Sequence, residues 1–178
     1  MRPSPTSEQV EKLSKIKLMV FDVDGILTNG TLSFLADGTE IKTFSILDGL
    51  GLKLLMSSGV ETAIITGRSS PQVTLRAESL GINFTQQGRE DKLVALKELW
   101  ERTGYDASNT AYMGDDLPDL SAIRAVQFGA TVPNGHWLIK EHADWISTSE
   151  GGKGAAREIC ELIMAAQGNL DSALGQYL

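Results

Sequence analysis

The sequence predicts a doubly wound (Rossmann-like), mostly parallel α/β sheet from which a β-hairpin projects. Three observations point there. Short apolar runs alternate with longer amphipathic ones along most of the 178 residues. The apolar runs are near-continuous, as strands buried on both faces require. One interval, Thr31 to Phe44, breaks the alternation and carries β-type residues on either side of Asp37-Gly38, a favoured hairpin turn pair.

Taken in order, Ile16 to Phe21 is apolar except for Lys17 and reads as the first strand. Leu50 to Met56 suits a helix that Gly59 stops, and Val60 to Ile65 reads as a second buried strand. Pro71 sits at the first turn of a helix ending at Gly81, followed by a short strand over Ile82 to Thr85. Asp91 to Arg102 places Leu93, Leu96, Leu99 and Trp100 at helical spacing. Thr110 to Met113 is a strand, Leu117 to Val126 mostly helix, and Phe128 to Val132 a strand. A short helix near Gly135–His142, a strand at Asp144–Ile146 and a helix from Ala155 to Ala166 complete the series.

The length suits one domain of roughly 100–200 residues, so 1–178 is read as a single domain with a hairpin at 31–44 and a glycine-rich C-terminal tail from 151, expected to be loosely ordered after Gly168. The 16 Lys plus Arg against 23 Asp plus Glu give a net charge of −7, which argues against a nucleic-acid partner. Cys160 is the only cysteine, so an intrachain disulfide and a Cys-rich zinc site are both excluded. Met1 to Lys15 lacks the apolar run of a secretory signal, and no stretch reaches the roughly 18–20 apolar residues of a membrane span. A cytoplasmic, membrane-free protein is expected.

Ligands of open α/β sheets bind outside the carboxyl ends of the strands. Four polar groups fall at such ends. They are Asp22-Val23-Asp24-Gly25-Ile26-Leu27-Thr28, then Thr66-Gly67-Arg68-Ser69-Ser70, then Lys92, and finally Gly114-Asp115-Asp116-Leu117-Pro118-Asp119. Each alone reads as a turn, a helix cap or a solvated cation. Their conjunction in this order suits phosphoryl transfer through an aspartyl intermediate. Asp22 would attack phosphorus as a carboxylate nucleophile. Magnesium would offset the repulsion between anions, held by Asp22, Asp115 and the backbone carbonyl of Asp24. The Asp24 side chain is then free to protonate the leaving alcohol and afterwards to activate water. Thr66, Gly67 and Lys92 would bind the phosphate.

Asp22 to Thr28, with Thr66, Lys92 and Gly114 to Asp119, resembles the haloacid dehalogenase superfamily, in its phosphatase version with Asp24 two places after the nucleophile. Only 38 positions separate Thr28 from Thr66, and 26 separate Thr66 from Lys92, which leaves no room for a cap domain. A bare site would stay open to water, so another surface should complete it. Lys42-Thr43-Phe44 through Asp48-Gly49-Leu50-Gly51, Ile64 to Arg68, and Gly151 to Glu158 are similar to the 3-deoxy-D-manno-octulosonate 8-phosphate (Kdo 8-phosphate) phosphatase family. The resemblance runs from about Ile16 onward. It implies a magnesium-dependent phosphomonoester hydrolase of lipopolysaccharide precursor biosynthesis. It also implies a homotetramer in which hairpins build a shared barrel, a neighbouring subunit caps the site, and the glycine-rich segment reaches a neighbour.

Carried over residue by residue, the resemblance makes Asp22 the nucleophile, Asp24 the acid/base, and Asp22, Asp24 and Asp115 the metal ligands. Asp116 and Asp119 would orient metal waters or Lys92. Asp48 and Arg68 would contact substrate, with a helix cap and a solvated cation as their plainer roles. Leu47 stands where some members carry arginine. Two other readings stay open: a phosphatase for a related nine-carbon 2-keto sugar acid phosphate, and a non-catalytic tetramer-forming module. His136 and His142, six apart, suit no zinc site, and Cys160 reads as a buried helix residue.

Overall fold

A computed structural model describes residues 3–178. Six parallel strands form one sheet: β1 (Leu18–Phe21), β4 (Glu61–Ile65), β5 (Phe84–Gln86), β6 (Thr110–Met113), β7 (Phe128–Thr131) and β8 (Trp145–Ile146). Their spatial order is β5-β4-β1-β6-β7-β8. The chain runs outward from β1 to β5 on one side, then returns to β6 and runs outward on the other. The direction of winding therefore reverses between β1 and β6, where an open sheet leaves a crevice at its carboxyl edge.

β1 shows how the sequence produces a central strand. All four residues are buried, Met19 and Phe21 in one apolar cluster and Leu18 and Val20 in the other. The first face is covered by α2 (Ile46–Ser57) and α7 (Ala155–Ala166); the second by α4 (Lys92–Thr103), α5 (Leu120–Ile123) and α6 (Trp137–His142). The helix α3 (Pro71–Leu80) starts on Pro71 and ends on Gly81 in the left-handed region, as expected.

The hairpin is present but short. β2 (Ser33–Phe34) pairs antiparallel with β3 (Glu40–Ile41), and Gly38 takes φ +85° in the turn. It leaves Leu32, Phe34, Leu35 and Ile41 exposed.

Leu117 to Val126 is mostly helical, as expected, with a 3₁₀ turn (Leu117–Asp119), in which Asp116 and Asp119 bond to backbone amides, leading into one turn of α5. Two expectations are corrected. The segment from Gly151 is not a tail. Gly151 packs against Gly25, Gly152 N–H donates to the Ile26 carbonyl at 2.9 Å, and α7 buries seven residues in the core. Past Gly168 the chain forms α8 (Leu170–Leu174), anchored by buried Leu170, rather than a loose end. Nor did the sequence predict α1 (Ser7–Leu13), which is opened by a Thr6–Gln9 capping box and pinned by buried Leu13.

Candidate active site

The four polar groups converge at the carboxyl ends of β1, β4, β5 and β6. They enclose a cleft of about 320 Å³ lined by Asp22, Asp24, Thr66, Lys92, Asp115 and Asp119, with Gly67, Arg68 and Asp116 also on its wall. Asp22 extends the ladder directly beyond β1, its N–H donating to the Met113 carbonyl at 2.9 Å. The chain then winds tightly, with three successive amides, Ile26, Leu27 and Thr28, donating to the Val23 carbonyl. Thr28 Oγ1 accepts from the Gly25 and Gly30 amides, which locks this turn. Gly25 has φ +95°, and a β-carbon there would lie 2.0 Å from Asp115 Oδ2, so only glycine admits Asp115 to the cluster.

Lys92 is the buried cation of the site. Its Nζ donates to Asp22 Oδ1 at 2.7 Å and to the Ile65 carbonyl at 2.8 Å, and lies 3.2 Å from Asp119 Oδ1. Asp119 is fully engaged. Its Oδ1 also accepts from Tyr112 OH at 2.8 Å, and its Oδ2 from the Asp115 and Asp116 amides at 3.1 and 3.3 Å. Asp119 thus holds both Lys92 and the loop that carries Asp115. Asp116 is exposed and bonds the Leu117 amide.

Among the described residues, Asp22, Asp115 and Asp119 bring carboxylate oxygens within 4.8 Å of one another. One lysine does not neutralise them. Burial and the repulsion of neighbouring carboxylates raise Asp115 to about 8, and burial followed by Asp119 raises Asp22. Such a cluster lacks positive charge and offers only hard oxygen donors, which is the chemistry a magnesium ion requires.

Thr66 is buried at the end of β4, and its carbonyl accepts the Arg89 amide at 2.9 Å, tying it to the loop before Lys92. Arg68 is half exposed and bonds Glu40 Oε2 at 3.0 Å, within 3.9 Å of Asp24 Oδ2. Asp48 is not brought to the cleft. Its carboxylate is buried beneath α7, where Oδ1 accepts from Arg157 N at 2.9 Å and Oδ2 from Gly154 N at 3.4 Å. The expected substrate contact is therefore corrected to a cap: α7 opens on Gly154, which has no side chain for its own amides. Leu47 is exposed in the first turn of α2. His136 Nδ1 accepts from the Leu138 amide, and burial pushes the Cys160 thiol well up, so neither points to a separate site.

Sequence reasoning missed three contributors. Tyr112 read as a core strand residue, since its alternation is that of any buried strand. Glu40 and Lys42 read as hairpin residues, with nothing local to show that they fold back onto Asp24.

Residues 82–159 match the family of haloacid dehalogenase-like hydrolases. The 3-deoxy-D-manno-octulosonate 8-phosphate phosphatase of Escherichia coli K12 is 39% identical over 173 residues, covering 97% of this chain and 92% of that protein. Its counterpart from Moraxella catarrhalis, in a crystal structure with magnesium ion, phosphate ion and Kdo, superposes with a TM-score of 0.96 at 48% identity, over 98% of this chain and 100% of that one. A probable YrbI family phosphatase from Pseudomonas syringae gives 0.95 at 52% identity, over 97% and 98%.

Proposed function

We propose, from the premise that this chain belongs to the 3-deoxy-D-manno-octulosonate 8-phosphate phosphatase family of haloacid dehalogenase-like hydrolases, that it hydrolyses Kdo 8-phosphate to Kdo and phosphate. The observation that carries the reading is Asp22, placed at the winding reversal beside Lys92 and facing Asp115. Asp22 attacks phosphorus and becomes the aspartyl-phosphate while Asp24 gives a proton to the departing sugar oxygen. Asp24 then takes a proton from water as that water releases phosphate from Asp22. Lys92, Thr66 and the Gly67 amide hold phosphoryl oxygens and stabilise the charge that develops on them. Asp22, Asp115 and the Asp24 carbonyl would hold a magnesium ion, which would supply Lewis-acid neutralisation of the phosphoryl charge there.

The hairpin's exposed Phe34, Leu35 and Ile41, together with the open cleft, support a homotetramer in which a neighbour covers the site. Light scattering behind a sizing column tests this, and a monomer at working concentration rules it out. No helix among the described residues is long and apolar enough to cross a membrane. A cytoplasmic place in lipopolysaccharide precursor synthesis belongs to the same reading.

The deciding experiment is phosphate release from Kdo 8-phosphate, a nine-carbon 2-keto sugar acid phosphate, a nucleoside monophosphate and p-nitrophenyl phosphate, each with magnesium and with chelator. Metal-dependent preference for Kdo 8-phosphate is the expected result. Preference for the nine-carbon compound moves the pathway and keeps the chemistry. No release from any substrate by a folded oligomer favours an assembly module. Asp22→Asn is expected to stay folded and lose turnover.

A further inference from the structure

Lys42 lies just beyond β3, yet its side chain turns inward until only 3% of it is exposed. Its ammonium bonds Asp24 Oδ1 and lies 3.2 Å from Glu40 Oε1. Arg68 closes the ring through Glu40 Oε2 at 3.0 Å and faces Asp24 Oδ2 at 3.9 Å. The Glu40 backbone is itself tied down, since its carbonyl accepts from Gln72 Nε2 at 2.7 Å. Two carboxylates and two cations balance, so the group is stable without any further ion. Lys42 stands behind the cleft, whereas Asp24 and Arg68 line it. The two oxygens of Asp24 are therefore unlike each other. Oδ1 is taken by Lys42, and Oδ2 is buried with no hydrogen-bond partner.

Resting on the reading of Asp24 as acid/base, we infer that Lys42 is its positioning residue: by holding Oδ1 it fixes the direction in which the carboxyl meets the reacting atoms. In the first step a bond forms between an Asp22 oxygen and phosphorus. The bond from phosphorus to the sugar oxygen breaks, and the proton on the Asp24 carboxyl passes to that oxygen. In the second step the Asp24 carboxylate accepts a proton from water as the water oxygen bonds phosphorus and the bond to Asp22 breaks. A carboxylate on a loop has no preferred direction of its own. Lys42 supplies one from the hairpin, 18 positions away, and a misplacement of about 1 Å is enough to cost on the order of 10²-fold in rate.

The test compares a leaving group that needs a proton with one that does not. Release of the sugar from Kdo 8-phosphate, or from whichever sugar acid phosphate the panel above identifies, is followed through the first step by rapid quench. Release of p-nitrophenolate is followed in the same way. Lys42→Met is expected to slow the sugar step about 10²-fold more than the nitrophenyl step, and Lys42→Arg to recover most of the loss. Equal losses on both substrates, or a rise in KM with kcat unchanged, would overturn the assignment. Asp24→Asn separates the two levels of the argument. If it lacks the same leaving-group dependence, the acid/base reading of Asp24 fails. If it shows that dependence and Lys42→Met does not, only the role of Lys42 fails. Should Lys42→Met not fold, Lys42→Ala, which removes the donor and leaves room for water beside the two carboxylates, carries the same comparison.

Discussion

Gly151 lies against the backbone of Gly25, so close that a β-carbon on Gly151 would sit 1.7 Å from the Gly25 carbonyl oxygen. The contact joins the start of the last core helix to the loop that carries Asp22 and Asp24. It is steric, since neighbouring Gly152, not Gly151, takes the positive φ.

Gly151→Ala therefore forces the backbone of one loop or the other to move. Overpacking of this kind costs about 1–3 kcal/mol, and here it also displaces Asp24. A lower urea midpoint together with a fall in kcat is expected. A lower urea midpoint with unchanged kcat would show that the loop carries its catalytic groups independently of Gly151.

Asp48→Ala removes the cap that α2 supplies to α7. Loss of a helix-capping carboxylate costs about 0.5–2 kcal/mol, while KM should hold because the group is buried away from the cleft. Thermal unfolding and steady-state kinetics on one preparation decide it. A raised KM with unaltered stability would restore Asp48 to the substrate.

Lys92→Met leaves Asp22 and Asp119 facing each other without their cation. Removing one partner of a buried ion pair costs about 3–5 kcal/mol. The loss should be larger at pH 8 than at pH 5, where the remaining carboxyls accept protons. Turnover should vanish at both. Denaturant curves at the two pH values supply the check, and a pH-independent loss would mean that packing of the lysine stem dominates.

The metal-free protein should lose stability as pH rises. Asp115 is raised from 3.8 to about 8 in the fold, and Asp22 is raised with it. The folded chain then binds more protons than the unfolded chain between these limits, so the contribution is complete below about pH 4 and is lost as pH climbs through 8. Magnesium should reverse the trend by favouring the ionised carboxylates. Urea midpoints from pH 5 to 8.5, with chelator and with magnesium, measure this. Identical slopes in both would remove Asp22 and Asp115 as ligands, and Asp115→Asn should flatten the chelator curve.

The candidate site was legible because its chemistry is local. Asp22, Thr66, Lys92 and Asp115 each follow an apolar run, and the carboxyl ends of parallel strands meet at one edge. Tyr112, Glu40 and Lys42 were not legible, since their roles rest on contacts that no local pattern encodes. Asp48 misled for the same reason. A carboxylate near the start of a helix reads alike whether it faces a ligand or the end of another helix.

By itself the sequence determined the alternation of strands and helices, the hairpin turn at Asp37-Gly38 and the order of the acidic, threonine and lysine groups. Those follow from hydrophobic period, turn stereochemistry and spacing, which act over a few residues. Only the tertiary structure decided that the segment from Gly151 is a fixed wedge beneath the Asp22–Thr28 loop. It also decided that Asp119 binds Lys92 and that Lys42 reaches Asp24. These are close approaches between distant segments, set by the packing of α7 and the hairpin around one sheet edge.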